Sequence, residues 1–390
     1  MSNNPSPRIL FVVNVDWFFL SHRLPIARAA RDRGAEIWVA AAPTGKEDLI
    51  AQEGFHFVPI PFRRSNKDIG HEFRTFRAVS KILADVNPDL VHNVTIKPVL
   101  YASLVARFFR KLAIVNAISG LGFVFISTGV KAWILRWVLW LPYKVSLSGE
   151  RVRVIFQNPD DIEEFIRRGW VQRPRIALIR GSGVDVELFR YTPEPPGVPV
   201  IMLASRMLRD KGVVELVDAA RLLRIWKVNC RVVLVGEPDP GNPATVTTEE
   251  LSSWVNEGIV EWWGQRTEME KVLPLAAIVV LPSYREGLPK VLLEAASIGR
   301  PIVATDVPGC REAVHEGENG YLVPPRDHIR LAEALRRLAE DPELRARMGA
   351  DSRRMAINEF RIEKVVESTL SLYDELLGGK FPGLFAPVPV

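Results

Sequence analysis

The sequence predicts an α/β protein built from two doubly wound domains, each with a parallel sheet covered by helices. Three observations predict this class. The chain of 390 residues is too long for one compact core and suits two domains of roughly 150–200 residues. Both halves alternate short apolar runs with amphipathic stretches, which is typical of βαβ units. The proline-rich stretch FRYTPEPPGVP at 189–199 interrupts the alternation and is the natural linker.

The first half contains six apolar runs that we interpret as strands. They are Ile9–Asn14, Glu36–Ala41, His56–Pro59, Leu90–Asn93, Ile114–Ala117 and Arg153–Gln157. Helices are expected in the gaps, for example Ser21–Arg33 and Phe73–Val86. The second half repeats the pattern. Its strands are expected at 200–206, 231–236, 259–262, 277–283, 301–305 and 320–324, and its helices near 213–223, after Leu288, and at 329–340, 342–358 and 362–377.

This pattern divides the chain into a first domain, a linker, a second domain and a C-terminal segment. The expected bounds are 1–188, 189–199, 200–370 and 371–390. Two doubly wound domains facing each other across a cleft are the simplest architecture. Ligands of such sheets lie beyond the carboxyl ends of the strands, so strand-to-helix loops are where binding residues are expected.

Composition restricts the compartment and the partners. Only Cys230 and Cys310 occur, so there is neither a disulfide framework nor a metal-ligand spacing, and a reducing, cytoplasmic compartment is expected. No secretory signal is recognisable, because ILFVV at the start reads as a first strand. Residues 1–190 contain 27 Lys and Arg against 17 Asp and Glu. This excess favours an anionic surface or ligand, and without a nucleic-acid-binding motif we expect no nucleic acid.

The first candidate site is SRMLRDKG at 205–212, directly after the opening strand of the second half. Arg206, Arg209 and Lys211 are placed to bind a diphosphate beside a helix start, and a solvated loop is the alternative. The second is YREGLPKVLLEAAS at 284–297, in which Glu286 lies in a strand-to-helix loop and Glu294 lies within the helix. Carboxylates at this spacing can accept hydrogen bonds from sugar hydroxyls, although helix capping or salt bridging would also explain them.

Two further loops are candidate contacts. GSGVD at 181–185 contains two glycines, of which Gly183 can approach a ligand closely or form a tight turn between domains. In the first half, Ser21 is a candidate helix N-cap, so that His22 and Arg23 would lie at a helix start and reach a phosphate or stay exposed.

Together these motifs resemble family 4 of the retaining glycosyltransferases, which have the GT-B fold. SRMLRDKG is followed about 75 residues later by EGLPKVLLEAASIGRPIVATDVPGCREAV and then by NGYLVPP. The two glutamates with seven residues between them are the family's hallmark, and Glu286 and Glu294 match it. GSGVD resembles the family's N-G-V-D segment, with Ser182 at the asparagine position. The resemblance covers essentially the whole chain and implies a C-terminal helix that crosses back to the first domain.

The resemblance implies a role for each matching residue. Glu286 would contact the donor sugar, Glu294 the ribose, and Arg206 and Lys211 the diphosphate leaving group, in place of a metal or other cofactor. In the loop between these glutamates, Gly287 and Pro289 shape a turn whose backbone N–H groups at Leu288, Lys290 and Val291 are expected to point towards an anion. The sugar would be transferred with retention of its anomeric configuration, without a protein nucleophile.

The first half departs from the family in two places. The loop NVDWFFLSHRLP lacks the glycine pair that many members have, and Ser119 stands about where many have a histidine. FFLSHR, VHNVTIKP and SGLGFVF instead resemble bacterial enzymes that add an N-acetylhexosamine, often N-acetylgalactosamine, to sugars on undecaprenyl diphosphate. The substrates implied are a UDP-sugar and a polyprenyl-diphosphate-linked saccharide, and Arg63, Arg64, Lys67, Lys97, Ser119 and Gly120 are candidate contacts.

A lipid-linked acceptor agrees with the stretch KAWILRWVLWLPYKVSL at 131–147. It contains Trp133, Trp137 and Trp140 at helical spacing beside Lys131 and Arg136, as interfacial helices do. Charges and a proline make it unsuited to span a bilayer, and a buried helix between domains is the alternative. We therefore expect a cytoplasmic enzyme bound peripherally to the inner face of the membrane. The alternative functions are those of a GT-B enzyme with a soluble acceptor, a nucleotide-sugar epimerase and a non-catalytic sugar-binding protein.

Overall fold

The computed structural model describes residues 6–62, 68–109, 112–120 and 140–385, and its contacts divide the chain into two compact units. Unit 1 comprises residues 1–182 and 363–390, and unit 2 comprises residues 183–362. The change of unit therefore falls before the expected linker, since residues 189–199 make their contacts within unit 2. Arg300 and Arg353 explain this assignment, because their guanidinium groups donate to backbone carbonyls at 186–193.

Unit 1 is a parallel sheet of seven strands with helices on both faces. The strands are β1 Arg8–Val15, β2 Glu36–Ala42, β3 His56–Pro59, β4 Leu90–Val94, β5 Ala113–Ile118, β6 Val152–Phe156 and β7 Ile176–Leu178, in the order β3-β2-β1-β4-β5-β6-β7. The helices are α1 Asp16–His22, α2 Leu24–Asp32, α3 Glu47–Gln52, α4 Ile69–Val86, α5 Ile96–Ala106 and α6 Pro159–Arg167.

Unit 2 is a second parallel sheet, of six strands in the order β10-β9-β8-β11-β12-β13. The strands are β8 Val200–Ala204, β9 Arg231–Val235, β10 Glu261–Trp262, β11 Ile278–Leu281, β12 Ile302–Thr305 and β13 Gly320–Val323. The helices are α7 Val213–Ile225, α8 Thr248–Asn256, α9 Met269–Val272, α10 Lys290–Ser297, α11 Cys310–Ala313, α12 His328–Glu340 and α13 Pro342–Glu359.

Each sheet is buried on both faces, which explains why its strands are continuous apolar runs. In β1, Ile9, Phe11 and Val13 pack into one hydrophobic cluster while Leu10 and Val12 pack into another. Successive side chains of a strand point to opposite faces, so both faces of the unit 1 sheet carry a core. The strands of unit 2 alternate between two clusters in the same way. The predicted fold class is confirmed.

The C-terminal helix α14, Ile362–Leu377, completes the core of unit 1. Leu370 and Tyr373 are fully buried in the same cluster as Ile9 and Phe11. The Tyr373 hydroxyl lies 2.6 Å from Nδ1 of His92, in the middle of β4. Burial lowers the pKa of His92 well below its usual value, so the ring is neutral and pairs with the hydroxyl. The return of the C-terminal helix to the first domain is thereby confirmed.

The expected helix Ser21–Arg33 is wrong at its start. The structure has two helices, Asp16–His22 and Leu24–Asp32, with Arg23 between them in a non-helical conformation. Ser21 is consequently inside a helix and not an N-cap. The helix begins instead at Asp16, a buried carboxylate in its first turn that accepts hydrogen bonds from the backbone of Thr44 at 2.6 Å and of Lys46 at 3.1 Å. These bonds outweigh the effect of burial and lower the pKa of Asp16.

We expect Leu370→Ala to destabilise unit 1 by about 2–5 kcal/mol, because it removes a fully buried side chain from the shared core. Chemical denaturation followed by tryptophan fluorescence measures the loss. Ser371→Ala is the control, since Ser371 is exposed on the same helix. Equal stability of the two variants would contradict the role of α14 in this core.

Candidate functional site

The candidate donor site lies at the edge of the unit 2 sheet where β8 and β11 end. Gly212 follows β8 with φ +74°, and a Cβ atom there would come within 2.1 Å of the Pro282 carbonyl oxygen after β11. The backbone N–H of Tyr284 donates to the Asp210 carbonyl at 2.9 Å, and the Ser283 hydroxyl donates to the same oxygen at 3.1 Å. The two loops are therefore held together through their backbones.

This contact brings Lys211 and Glu286 together. The Lys211 ammonium group donates to Oε1 of Glu286 in a close ion pair, although 75 residues separate them in sequence. The two side chains are 23% and 11% exposed, so the pair is accessible but largely shielded from water. A cation and a carboxylate at the carboxyl end of a parallel sheet are suited to phosphate and hydroxyl groups.

Glu294 lies within α10, the helix that follows the loop containing Glu286. The residue is only 6% exposed, and Nζ of Lys290 lies 3.2 Å from its Oε1. Burial raises the pKa of Glu294, Lys290 opposes the rise, and the carboxylate of Glu270 adds to it. The structure therefore keeps a carboxylate where its ionisation is costly, which is more common at functional sites than elsewhere.

The loop between the two glutamates is fixed by a second backbone contact. Gly309 has φ +82°, and a Cβ atom there would lie 2.2 Å from the Gly287 carbonyl oxygen. Leu288 is buried, Pro289 precedes the first residue of α10, and Lys290 and Val291 form its first turn. The first N–H groups of a helix have no intrahelical acceptor, so this turn offers donors to an anion.

The other cations of the loop after β8 have different partners. Arg206 donates from Nη1 to Oδ2 of Asp239 at 2.7 Å, and its side chain remains 46% exposed. Arg209 pairs at 2.5 Å with Glu250 at the start of α8. The structure thus joins Lys211 directly to Glu286, and it holds Arg206 through Asp239, a residue that the sequence analysis did not identify.

Sequence reasoning also missed a cluster that supports the glutamate loop. The hydroxyl of Tyr284 donates to Oε1 of Glu215 at 2.5 Å, and the Arg326 guanidinium stacks 4.6 Å from the Tyr284 ring centre. Burial and, to a smaller extent, the hydrogen bond to Glu215 raise the pKa of Tyr284 to about 12. Arg326 has φ +64°, an unusual conformation for a residue with a side chain. Its position directly after Pro324 and Pro325 gives no such indication in the sequence.

The candidate residues of unit 1 lie in three places. Oγ of Ser21 is 2.6 Å from Nδ1 of His22, whose ring stacks on Phe18 at 4.0 Å between centres. Arg23 is only 3% exposed and donates to the His22 carbonyl, and burial lowers its pKa to about 10. Lys97 is not an isolated cation, because it pairs with Glu72 at 3.1 Å.

The remaining candidates are partly described. Ser119 and Gly120 directly follow β5, and both are half-buried. Gly183 begins unit 2 with φ +72°, and a Cβ atom there would lie 2.6 Å from the Ile362 Cα, which accounts for the glycine by packing. Trp140 is described and is 41% exposed. Seven candidates lie outside the described residues: Arg63, Arg64, Lys67, Lys131, Trp133, Arg136 and Trp137.

Neither a metal-binding cluster nor a membrane-spanning helix is present among the described residues. No group of three or more His, Cys, Asp or Glu side chains is arranged to hold a metal ion in the part of the chain that the structure describes. Across the same residues, no helix combines the length and the apolar character that crossing a membrane requires.

Two family profiles match the chain in its two halves. Residues 8–157 match the profile described as "Glycosyl transferase 4-like", and residues 198–341 match "Glycosyl transferases group 1". The chain belongs to these glycosyltransferases. Sucrose-phosphate synthase from Thermosynechococcus elongatus has the same fold, with a TM-score of 0.78 at 20% identity over 96% of this chain and 100% of that one.

Two further similar proteins are described with a substrate or a bound nucleotide. A Campylobacter jejuni enzyme is 28% identical over 92% of this chain and 98% of its own length. It is named N,N'-diacetylbacillosaminyl-diphospho-undecaprenol alpha-1,3-N-acetylgalactosaminyltransferase. HepE from Anabaena, in a structure with UDP, has a TM-score of 0.75 at 19% identity, over 94% of this glycosyltransferase and 100% of HepE.

We expect Glu294→Gln to raise the thermal stability of the glycosyltransferase as pH increases. Burial gives the folded state a raised pKa, while the unfolded chain has the ordinary value of 4.5. Between these values the folded state holds a proton that the unfolded state has released, so stability falls as pH rises. A glutamine side chain does not titrate, so the variant does not lose stability in this way. The variant should therefore gain more stability at pH 8 than at pH 5 in calorimetry, and a gain that is constant across pH would contradict a raised pKa of Glu294.

Gly309→Ala should weaken UDP binding at least about tenfold, because its Cβ would push away the Gly287 backbone between the two glutamates. Gly317→Ala is a matched control. Gly317 has φ +77° but no atom within 4 Å of its Cβ position, so the control incurs the backbone strain of about 1 kcal/mol without the clash. Calorimetric titration measures both variants, and equal losses would show that strain alone matters.

Proposed function

We propose that this glycosyltransferase transfers an N-acetylhexosamine, such as N-acetylgalactosamine, from a UDP-sugar to a saccharide linked to polyprenyl diphosphate. The proposal depends on one observation above all, the ion pair of Lys211 and Glu286 at the carboxyl edge of the unit 2 sheet. Ligands of parallel α/β sheets bind at this edge. The acceptor class is supported by the Campylobacter enzyme, whose similarity extends over 92% of this chain.

In this proposal unit 2 binds the donor. The Glu294 carboxylate accepts hydrogen bonds from the ribose hydroxyls, and Glu286 accepts them from the sugar. The backbone N–H groups of Lys290 and Val291 point to the diphosphate, since the first turn of α10 leaves them without intrahelical acceptors, and the N–H of Leu288 just before the helix joins them. The fixed contact of Gly287 with Gly309 keeps these donors in place.

Lys211 and Arg206 stabilise the leaving group. As the bond from the sugar to the phosphate oxygen breaks, negative charge develops on UDP, and two cations at this position stabilise it as a metal ion does in other transferases. The departing oxygen takes the proton of the attacking acceptor hydroxyl on the same face of the sugar, so configuration is retained. No protein nucleophile and no metal ion takes part in this mechanism.

Unit 1 binds the acceptor in this proposal. Ser21, His22, Ser119 and Gly120 follow the carboxyl ends of β1 and β5, where ligands of the unit 1 sheet are expected. Lys97 contributes less charge than the sequence suggests, because Glu72 already neutralises it. Arg23 acts through His22, to whose carbonyl it donates, since its own guanidinium is buried.

A panel of UDP- and GDP-sugars with a polyprenyl-diphosphate-linked sugar as acceptor tests the proposal by product mass. One added N-acetylhexosamine, only from a UDP donor, is expected. Transfer to free sugars but not to the lipid would indicate the soluble-acceptor alternative, and an epimer at unchanged mass would indicate an epimerase. Tight sugar binding without any product would indicate a non-catalytic binding protein.

Arg206→Ala and Lys211→Ala should each lower kcat by about a hundredfold or more, the usual cost of removing one charge-stabilising group. Arg209→Ala is the matched control, because it removes the same charge from the same loop but from a pair with Glu250. We expect a change of less than about threefold in the control, within the value of an exposed ion pair. Near-normal turnover of the Lys211 variant would refute the leaving-group role.

We also propose that the enzyme binds the inner face of the membrane peripherally. Leu141 is 58% exposed beside the half-exposed Trp140, over whose ring Lys144 lies at 4.7 Å. Leu141→Glu should lower flotation of the protein with phosphatidylglycerol vesicles at least about threefold. Ile225→Glu is the control, because Ile225 is 70% exposed but lies in unit 2, and its flotation should not change. Binding should fall as salt is raised. Equal flotation of both variants would count against this surface.

A further inference from the structure

The lysine inside the glutamate motif is paired with the second of the two glutamates. Lys290 is four residues before Glu294 on α10, and its Nζ lies 3.2 Å from Oε1 of Glu294. The Lys290 side chain is 32% exposed and that of Glu294 is 8% exposed. The lysine thus covers a carboxylate that is otherwise enclosed by the core, where Leu292, Leu293 and Ala295 are also buried.

The surroundings of Glu294 contain little other compensation for its charge. On the neighbouring α9, Glu270 repels it, and the facing residues of β11 and β12 are apolar. On α13, which packs along α10, the guanidinium of Arg353 donates instead to the Ser297 carbonyl at 2.7 Å. In α11, Cys310 is fully buried, and burial raises the pKa of its thiol. Among the described groups, Lys290 is the cation placed on Glu294.

We infer that Lys290 is a positioning residue for donor binding: it holds Glu294 ionised and aimed, so that the carboxylate accepts both ribose hydroxyls of the nucleotide. This inference rests on the proposed function, which places the ribose on Glu294. A neutral carboxylic acid would have to use one oxygen as a donor, and it could not accept from two hydroxyls equally well. An unpaired buried carboxylate tends to take up a proton, and the ion pair opposes this.

A different role for Lys290 is direct contact with the donor diphosphate, since its backbone lies in the first turn of α10. The two roles differ in what the lysine recognises. A residue that acts through Glu294 affects nucleotides that have ribose hydroxyls. A residue that contacts phosphate affects every nucleoside diphosphate, whether or not the hydroxyls are present.

The test compares UDP with 2′,3′-dideoxy-UDP by calorimetric titration of the full-length protein, as wild type, Lys290→Met and Lys290→Arg. Lys290→Met should weaken UDP binding about tenfold but dideoxy-UDP binding less than about twofold, where tenfold corresponds to about 1.4 kcal/mol. Lys290→Arg should restore UDP binding, because it keeps the cation. The ratio of the two affinities is measured on one sample, so a smaller folded fraction of the variant cancels.

The pH dependence provides a second readout. Without Lys290 the pKa of Glu294 rises further, so the UDP affinity of Lys290→Met should fall more steeply than that of wild type between pH 8 and pH 6. The double variant Lys290→Met with Glu294→Gln should lose this dependence. A purely structural role of the lysine would change neither the pH profile nor the ratio between the nucleotides.

Three results would overturn the inference. Equal losses for UDP and dideoxy-UDP would assign Lys290 to the phosphates, and unchanged binding of both would leave it a solvent-facing residue. In both cases wild type still binds UDP, so the proposed function stands. A wild-type protein that binds neither nucleotide would overturn the proposed UDP donor, and the role of Lys290 with it.

Discussion

The candidate site depends on backbone contacts between loops that follow different strands of one sheet. Gly212 lies against the Pro282 carbonyl and Gly309 against the Gly287 carbonyl. A Cβ atom at either glycine would overlap the carbonyl oxygen. The first contact places Lys211 beside Glu286, and the second fixes the turn that begins α10. Because these contacts are between backbones, the charged side chains need not hold the loops together. The site can therefore exchange side-chain partners without losing its shape.

Much of the fold could be predicted because parallel strands covered on both faces are continuous apolar runs. His56–Pro59 and Ile362–Leu377 have the predicted bounds, and most other strands differ by a residue or two. The start of the first helix could not be predicted. The helix begins at Asp16, which accepts hydrogen bonds from Thr44 and Lys46. No local sequence pattern indicates partners that are about 30 residues away. Long-range polar contacts of this kind appear only once the topology is known.

The same distinction applies to the site. The spacing of Glu286 and Glu294, and the cations after β8, are visible in the sequence, as is the i,i+4 relation of Lys290 to Glu294. The pairing of Arg206 with Asp239 is not, because it requires that β8 and β9 be neighbours. Tyr284 lies within the motif, yet its bond to Glu215 depends on the packing of α7 against the loop after β11.

Both glutamates of the motif are paired with a lysine in the structure, Glu286 with Lys211 and Glu294 with Lys290. Each pair is nearly neutral, and breaking a shielded pair for a neutral sugar would leave a charge uncompensated. A nucleotide sugar differs, because its diphosphate offers Lys211 a new anionic partner while its hydroxyls offer the freed Glu286 new donors. In the proposed function, hydroxyl recognition therefore depends on the phosphates. This coupling explains why an acidic motif can select a negatively charged donor.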